Sequence, residues 1–323
     1  METLSLHYPN LTINSPWAPS VVAIGMFDGV HMGHQAVIRQ ARAIASERNL
    51  PCTVFTFVSH PRQVLRPDYP VPLLTTWSEK RCLLDDLGVD TVVGAQFTPA
   101  FSELSARDFV ERILVGQMRA KHVVVGYNFA FGHGQEGNGE TLKALGAEYG
   151  FEATVVSPVE LNGASVSSSR IRKLLATGHV GEANSLLGRP YTLTGTVVTG
   201  DQRGRLLGFP TANLSVDEGK LLPAYGVYAG QALWTEEEAL QEPCVVNLGM
   251  RPTFDPPQLR IEAHLIGWTG DLYGKLLTVS LQHRLRSEMA FKSVDELVAQ
   301  IRQDVDHART LPLKGFGAGV PSC

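Results

Sequence analysis

The ten residues "GMFDGVHMGH" (25–34) follow the apolar run "VVAI" (21–24) and lead into "HQAVIRQARAIASER" (34–48). The apolar run reads as a buried strand, and the segment after it has helical spacing. The ten residues are therefore the turn between a buried strand and the next helix. Gly25, Gly29 and Gly33 let the backbone bend sharply and come close to a ligand. In an open α/β sheet, ligands bind outside the carboxyl ends of the strands. A helix starting near Gly33 aims free N–H groups and a positive dipole end into that crevice. The imidazoles of His31 and His34 can there donate hydrogen bonds to phosphate oxygens. For an isolated HxxH, a tight turn with two surface histidines is the simpler alternative.

Strand and helix patterns alternate onward from this turn. Strand "CTVFTF" (52–57) precedes helix "SEKRCLLDDLG" (78–88). Strand "DTVVGAQF" (90–97) precedes helix "SARDFVERILVGQM" (105–118). "HVVVG" (122–126), "GETLKALGAEYG" (139–150) and "FEATVVS" (151–157) complete the series. Apolar strands alternating with helices predict a parallel sheet covered on both faces. The pattern changes near Leu187. "YTLTGTVVTG" (191–200), "GVYAGQALW" (226–234), "PCVVNLG" (243–249), "QLRIEAHLI" (258–266) and "KLLTVSLQH" (275–283) are strands of mixed polarity with Gly/Pro turns between them. They predict an antiparallel sheet or small barrel. One amphipathic helix follows at 293–308, with Ser293 as N-cap and Glu296 as its capping-box partner. The division is placed at 1–186 and 187–323.

Bulk composition agrees with two soluble cores. The chain has 323 residues, 44% hydrophobic and 19% charged. A net charge of −4 argues against a large nucleic-acid surface but leaves room for local phosphate pockets. Cys52, Cys82, Cys244 and Cys323 are scattered with no CxxC pair, so neither a zinc ribbon nor a disulfide framework is indicated. Reduced thiols in a cytoplasm fit best. "METLSLHYPN" (1–10) lacks the pattern of a signal peptide. No apolar run approaches the roughly 20 residues of a membrane span. No membrane partner is expected, and the sequence sets no oligomeric state.

Two further stretches carry chemistry. In "VSSSRIRKLL" (166–175), Ser167, Ser168 and Ser169 can cap a helix whose N–H groups bind phosphate, and Arg172 adds charge. In "RGRLLGFPTANL" (203–214), Gly204 and Gly208 let the chain wrap phosphates beside Arg205. Thr211 and Asn213 stand two apart, so an extended chain sends both side chains the same way. Two hard oxygen ligands beside phosphates suit Mg²⁺. "GHGQEG" (132–137) also matches GxGxxG. A dinucleotide fingerprint needs its first glycine directly after the strand, whereas "YNFAF" (127–131) intervenes here. No P-loop string exists.

The ten opening residues resemble the HxGH signature of the nucleotidylyltransferase superfamily in its prokaryotic FAD synthetase form, with every fixed position met. "VSSSRIRKLL" resembles that superfamily's second element, with Ser169 where Thr is usual. "TFVSHP" (56–61) and "VVVGYNFAFGHGQEG" (123–137) resemble further parts. "RGRLLGFPTANL" resembles the riboflavin kinase signature. So do "PAYGVYAG" (223–230), "VNLGMRPTF" (246–254) and "DLYGKLLTVSLQHRLRSEMAFKS" (271–293). The resemblance, over residues 20–305, implies an N-terminal Rossmann-like FAD synthetase domain and a C-terminal β-barrel riboflavin kinase domain. It implies that riboflavin and ATP give FMN, and that FMN and a second ATP give FAD. It implies ATP or phosphate contacts at Gly25, Phe27, Gly29, Gly33, Asn128, Ser167, Ser168, Ser169, Arg172, Gly204, Arg205 and Gly208. Flavin contacts fall on His60, Pro61, Arg286 and Glu288, and Mg²⁺ on Thr211 and Asn213. His31, His34 and Glu262 are catalytic, Glu262 as the base of an E-x-H element. Gly267 and Trp268 depart from the usual D-F that follows it. A kinase with weak adenylyl transfer, and a flavin-binding regulator without turnover, are the alternatives.

Overall fold

Strands β2 (Ser20–Ile24), β3 (Cys52–Phe57), β4 (Thr91–Gln96) and β5 (Ala120–Gly126) are nearly continuous apolar runs because both of their faces are covered. The computed structural model describes residues 1–10, 17–66, 68, 71–200, 203–235, 238–251 and 258–316. Contacts divide the chain into two units, Met1–Ser168 and Ser169–Ser322.

In the first unit a six-stranded, all-parallel sheet runs β1-β4-β3-β2-β5-β6, with β1 at Glu2–His7 and β6 at Glu152–Val156. Residues alternate between two cores. Val22, Ile24, Val93, Val123 and Val125 face one side with Phe109, Ile113 and Leu142. Val21, Ala23, Val54, Val92 and Val124 face the other with Ile38 and Ala41 of α1 (Met32–Arg48). The connections carry α2 (Pro61–Leu65), α3 (Trp77–Asp86), α4 (Pro99–Ser102), α5 (Ala106–Asp108) and α6 (Gly139–Tyr149). From β2 the chain steps through β3 to β4, whereas β5 lies on β2's other side. The carboxyl ends of β2 and β5 therefore flank the switch point where a ligand crevice opens.

The expected strands and helices form, and the structure adds to them. Strand β1 was not foreseen; its six residues fill the edge of β4. The helix expected over 105–118 starts as α5 and continues as a π-helical run, Phe109–Gln117. Phe109, Val110, Ile113 and Leu114 stay buried in that run, so the apolar pattern survives a change of helix type it could not reveal. Cys52 and Cys244 are free and buried, whereas Cys82 is disulfide-bonded, which spacing along a chain does not disclose.

The second unit begins with α7 (Ser168–Ala176), which straddles the division, and α8 (Val180–Leu187); the two-residue strands β7 (Glu160–Leu161) and β8 (Ala164–Ser165) precede them. β9 (Tyr191–Val198), β10 (Ala212–Val216), β11 (Gly226–Thr235), β12 (Ala239–Arg251), β13 (Gln258–Leu265) and β14 (Leu276–Leu281) form an antiparallel sheet. It runs β12-β13-β10-β9-β14-β11, and an added β11–β12 pairing closes it into a six-stranded barrel. β15 (His283–Arg286) adds to β11. α10 (Val294–Thr310) packs outside β11 and β12, burying Val305 and Ala308 on Val227, Ala229 and Val245. The Ser293 hydroxyl caps α10, but the Glu296 carboxylate accepts from the Lys292 N–H, one residue before the N-cap.

Candidate active sites

The turn after β2 is held in an unusual backbone. Phe27 (φ 47°) and Val30 (φ 39°) are left-handed, with Gly29 (φ 85°) between them. Each such non-glycine residue costs on the order of 1–3 kcal/mol. Phe27 and Val30 are each only 1% exposed. Burying side chains of that size returns about 1.5–3 kcal/mol apiece, so packing offsets the strain. The result is a chain reversal that delivers His31 to the start of α1.

His31 is the N-cap, so α1 begins at Met32, next to Gly33 as expected. It is 5% exposed, a buried side chain and not the surface histidine of the simpler alternative. Its Nδ1 accepts the His34 backbone N–H at 3.3 Å. A neutral imidazole with an accepting Nδ1 carries its proton on Nε2. The His34 ring stacks on it with centroids 3.6 Å apart, and the Phe27 ring meets His34 edge-on at 5.3 Å. A Cβ on Gly33 would lie 3.1 Å from the His31 ring, and one on Gly25 would lie 3.0 Å from the Phe27 ring. These two glycines make room for the site's own rings.

Ser168 opens α7, and its hydroxyl donates to the Asp28 carbonyl at 2.9 Å. That bond ties the second serine of "VSSSRIRKLL" to the histidine turn. Ser167 is half-buried just before it; Ser169, exposed, and Arg172 follow on α7 in the second unit. Asn128 is exposed just after β5, on the other flank of the switch point. Phe131 joins the core and stacks on Phe129. His60 caps the short α2, accepting from the Arg62 N–H at 3.1 Å, with Pro61 in the first helical turn.

In the barrel, strand pairing assembles the second candidate site. Alternation along "LRIEAHLI" (259–266) sets Leu259, Ile261, Ala263 and Leu265 on one face of β13; Ile261, Ala263 and Leu265 are buried, while Leu259 is exposed. Arg260, Glu262 and His264 face outward from the barrel core. Glu262 pairs directly with Asn213 of β10 on one side and Asn247 of β12 on the other. Directly paired side chains share a face, so the carboxylate stands between two amides. Arg260 donates to Glu262 Oε1 at 3.0 Å. His264 Nδ1 lies 2.8 Å from the Pro210 carbonyl, and its ring meets Phe209 edge-on.

The segment before β10 is not an extended loop. Residues Arg203–Leu206 make one helical turn, α9, and Gly208 (φ 83°) ends it. The Phe209 N–H returns to the Gly204 carbonyl at 2.8 Å, and a Cβ on Gly204 would lie 3.3 Å from Thr211 Oγ1. Arg205 sits within the turn. Thr211 is thus brought against the glycine turn, two residues from Asn213. Glu288 lies over Gly249, where a Cβ would collide with Oε1; Gly249 is paired with Arg260. Arg286 is engaged by Asp304 of α10 through Nε and Nη2, at 2.9–3.1 Å. The Pro252–Phe254 part of "VNLGMRPTF" lies outside the described residues.

Sequence reasoning missed Asn247, Arg260, Asp28 and Lys80. Asn247 becomes visible only once strand register is known, whereas alternation along one strand already sets Arg260 on the same face as Glu262. Asp28 had a signal, as a carboxylate inside a buried turn. Lys80 had one too, since it shares a helical stripe with Leu84.

A parallel sheet with a histidine-bearing turn at its switch point, joined to a closed barrel with a carboxylate between two amides, defines a two-module phosphate-transfer protein. The family model for FAD synthetase matches residues 13–170, and that for riboflavin kinase matches 187–311. The chain belongs to the bifunctional riboflavin kinase/FMN adenylyltransferase family. The Escherichia coli K12 member is 39% identical over 308 residues, covering 95% of this chain and 96% of its own. The Bacillus subtilis member is 36% identical over 314 residues, covering 95% and 97%. A crystal structure from Streptococcus pneumoniae, described as a macrolide-efflux protein, matches with TM-score 0.87 and 33% identity, covering 96% of this chain and all of that one. Among the described residues no helix is long and apolar enough to cross a membrane.

Proposed function

We propose that each domain works with the groups described above. In the barrel, Glu262 takes the proton of the riboflavin 5′-hydroxyl as its oxygen attacks the ATP γ-phosphorus, giving FMN and ADP. Arg260 occupies Oε1, which leaves Oε2 for the hydroxyl. Thr211 and Asn213 fit Mg²⁺: they offer two uncharged hard oxygens beside a carboxylate, and Mg²⁺ takes few protein ligands when it rides on phosphates. Among the described residues no group of three acidic, His or Cys side chains could hold a metal alone. Thr211 and Asn213 would hold the ion where it would neutralise charge on the ATP phosphates. Gly204, Arg205 and Gly208 wrap those phosphates, and Arg286 and Glu288 border the flavin.

In the first domain, an FMN phosphate oxygen attacks the ATP α-phosphorus and pyrophosphate leaves. The His31 Nε2–H, His34 and the free N–H groups of α1 stabilise the charge that develops. Gly25, Phe27, Gly29, Gly33, Asn128, Ser167, Ser168, Ser169 and Arg172 serve ATP, and His60 and Pro61 the flavin. A cytoplasmic location fits these substrates.

The placement of Glu262 between Asn213 and Asn247 carries the kinase assignment most directly. Incubation with riboflavin, ATP and Mg²⁺, with products separated by chromatography, should show FMN first and FAD after it. FMN alone would leave a kinase without adenylyl transfer, and neither product would leave a flavin binder.

The functional boundary belongs near Leu187, where the second family model begins. A 1–186 fragment should convert FMN to FAD and ignore riboflavin, and a 187–323 fragment should stop at FMN. Asn184 of α8 bonds to the Leu281 carbonyl and the Tyr191 N–H. Restoring 169–186 to the second fragment should therefore raise its unfolding temperature. Failure of both fragments to fold would mean a shared core.

A further inference from the structure

Lys80 of α3 is a charged side chain only 3% exposed. An ammonium group has three N–H donors. Here they meet the Met26 carbonyl at 3.0 Å, the Phe57 carbonyl at 3.0 Å and Thr56 Oγ1 at 3.4 Å. The Thr56 hydroxyl in turn donates to Met26 at 3.0 Å. Met26 lies just past the end of β2, and Thr56 and Phe57 end β3. Lys80 thus ties two adjacent strand ends together directly before the strained turn.

Asp28 holds the other side of that turn. It is buried, and its carboxylate accepts from the Leu74 N–H at 2.9 Å and the Thr75 N–H at 3.1 Å. Thr75 Oγ1 closes the loop by accepting the Gly29 N–H at 3.1 Å. Phe27 and Val30, the strained residues, lie between and just beyond these anchors.

Burying an ammonium is unfavourable unless every donor is satisfied. Burial pulls Lys80 down to about 8, with the Asp28 charge opposing that shift. An apolar residue of similar length would fill the same space without this penalty. The turn, however, needs a group that can hold two carbonyls and a hydroxyl at once, and only a multiple donor does that.

We propose that Lys80 and Asp28 act as a paired clamp that keeps the Phe27–Val30 turn in its strained form and so positions His31 for adenylyl transfer. Neither side chain touches the reacting atoms; both are positioning residues. This rests on the assignment of His31 above. A displacement of about 1 Å in a catalytic group can cost on the order of 10²-fold in rate. Loss of the clamp should therefore lower the rate of the chemical step and, because Phe27 and Gly29 of the same turn serve ATP, raise the KM for ATP, while the KM for FMN stays unchanged.

The test uses the full chain with Lys80→Met, Asp28→Asn and the double variant. Initial rates of FAD formation from FMN and ATP are measured with both KM values, and riboflavin phosphorylation is followed in the same preparations. Lys80→Met should lower kcat for FAD formation by about 10²-fold, with the KM for FMN and the rate of FMN formation unchanged. Because both residues hold one turn, the double variant should lose much less than the product of the single losses. Multiplicative losses, or a KM increase at constant kcat, would overturn the clamp. If Lys80→Met does not fold, Asp28→Asn alone decides: a kcat loss at unchanged KM for FMN supports the proposal, and normal kcat ends it. His31→Ala, measured beside them, separates the two readings, since a His31→Ala enzyme with normal FAD formation would remove the His31 assignment itself.

Discussion

Glu262→Gln should lower FMN formation by about 10²–10⁴-fold, the range general-base assistance contributes. The substitution keeps the size of the side chain and its place between Asn213 and Asn247. It removes only the group that accepts the proton. Arg260 can still donate to the amide oxygen, so the side chain should stay in position and riboflavin should still bind. FAD formation from supplied FMN should be unchanged. Thr211→Ala and Asn213→Ala should behave differently, with weakened use of ATP that recovers in part at high Mg²⁺. Both half-reactions measured across a Mg²⁺ titration separate the two patterns. Near-normal FMN production by Glu262→Gln would remove the base assignment.

His31→Ala and His34→Ala should each lower FAD formation by about 10²–10³-fold, the effect of losing one donor to developing charge. His31→Ala carries a second consequence, because His31 is also the N-cap of α1. Loss of a side-chain cap typically costs about 0.5–2 kcal/mol. His31→Asn separates the two roles. Its side-chain oxygen can accept the His34 N–H, so stability should recover, but it cannot reproduce an imidazole Nε2–H aimed at the crevice. Thermal unfolding together with FAD formation makes the comparison. An active His31→Asn enzyme would reduce His31 to a cap, and equal loss of both half-reactions would signal misfolding.

The histidine turn was legible because it is local. An apolar strand, three glycines and a helical repeat lie within about two dozen residues, and the periodicities that define them are short-range. Glu262 was legible as an outward residue on an alternating strand. Its neighbours Asn213 and Asn247 were not, because cross-strand register depends on turns and closure that periodicity does not encode. Lys80 escaped for a different reason. A lysine on an apolar stripe reads as a surface residue at the stripe's edge, and only the carbonyls of Met26 and Phe57 show why it is buried. The π-helical run kept its buried positions, so nothing in the pattern distinguished it from an α-helix. Strand β1 was short and partly polar, and it gains its place only by pairing with β4.

The pairing of β10, β13 and β12 also sets what insertions and deletions the barrel can absorb. Glu262, the proposed base, and the amides beside it sit on strands and not on loops. One residue inserted into β10 ahead of Asn213 would turn that side chain to the opposite face and present Ala212 or the inserted residue to Glu262. Two residues inserted would restore the face but shift the amide by about 7 Å along the strand. Neither change leaves the three groups together. Length variation among relatives that keep this activity should therefore fall in the turns, such as the one between β13 and β14, while these three strands hold a fixed count from turn to site.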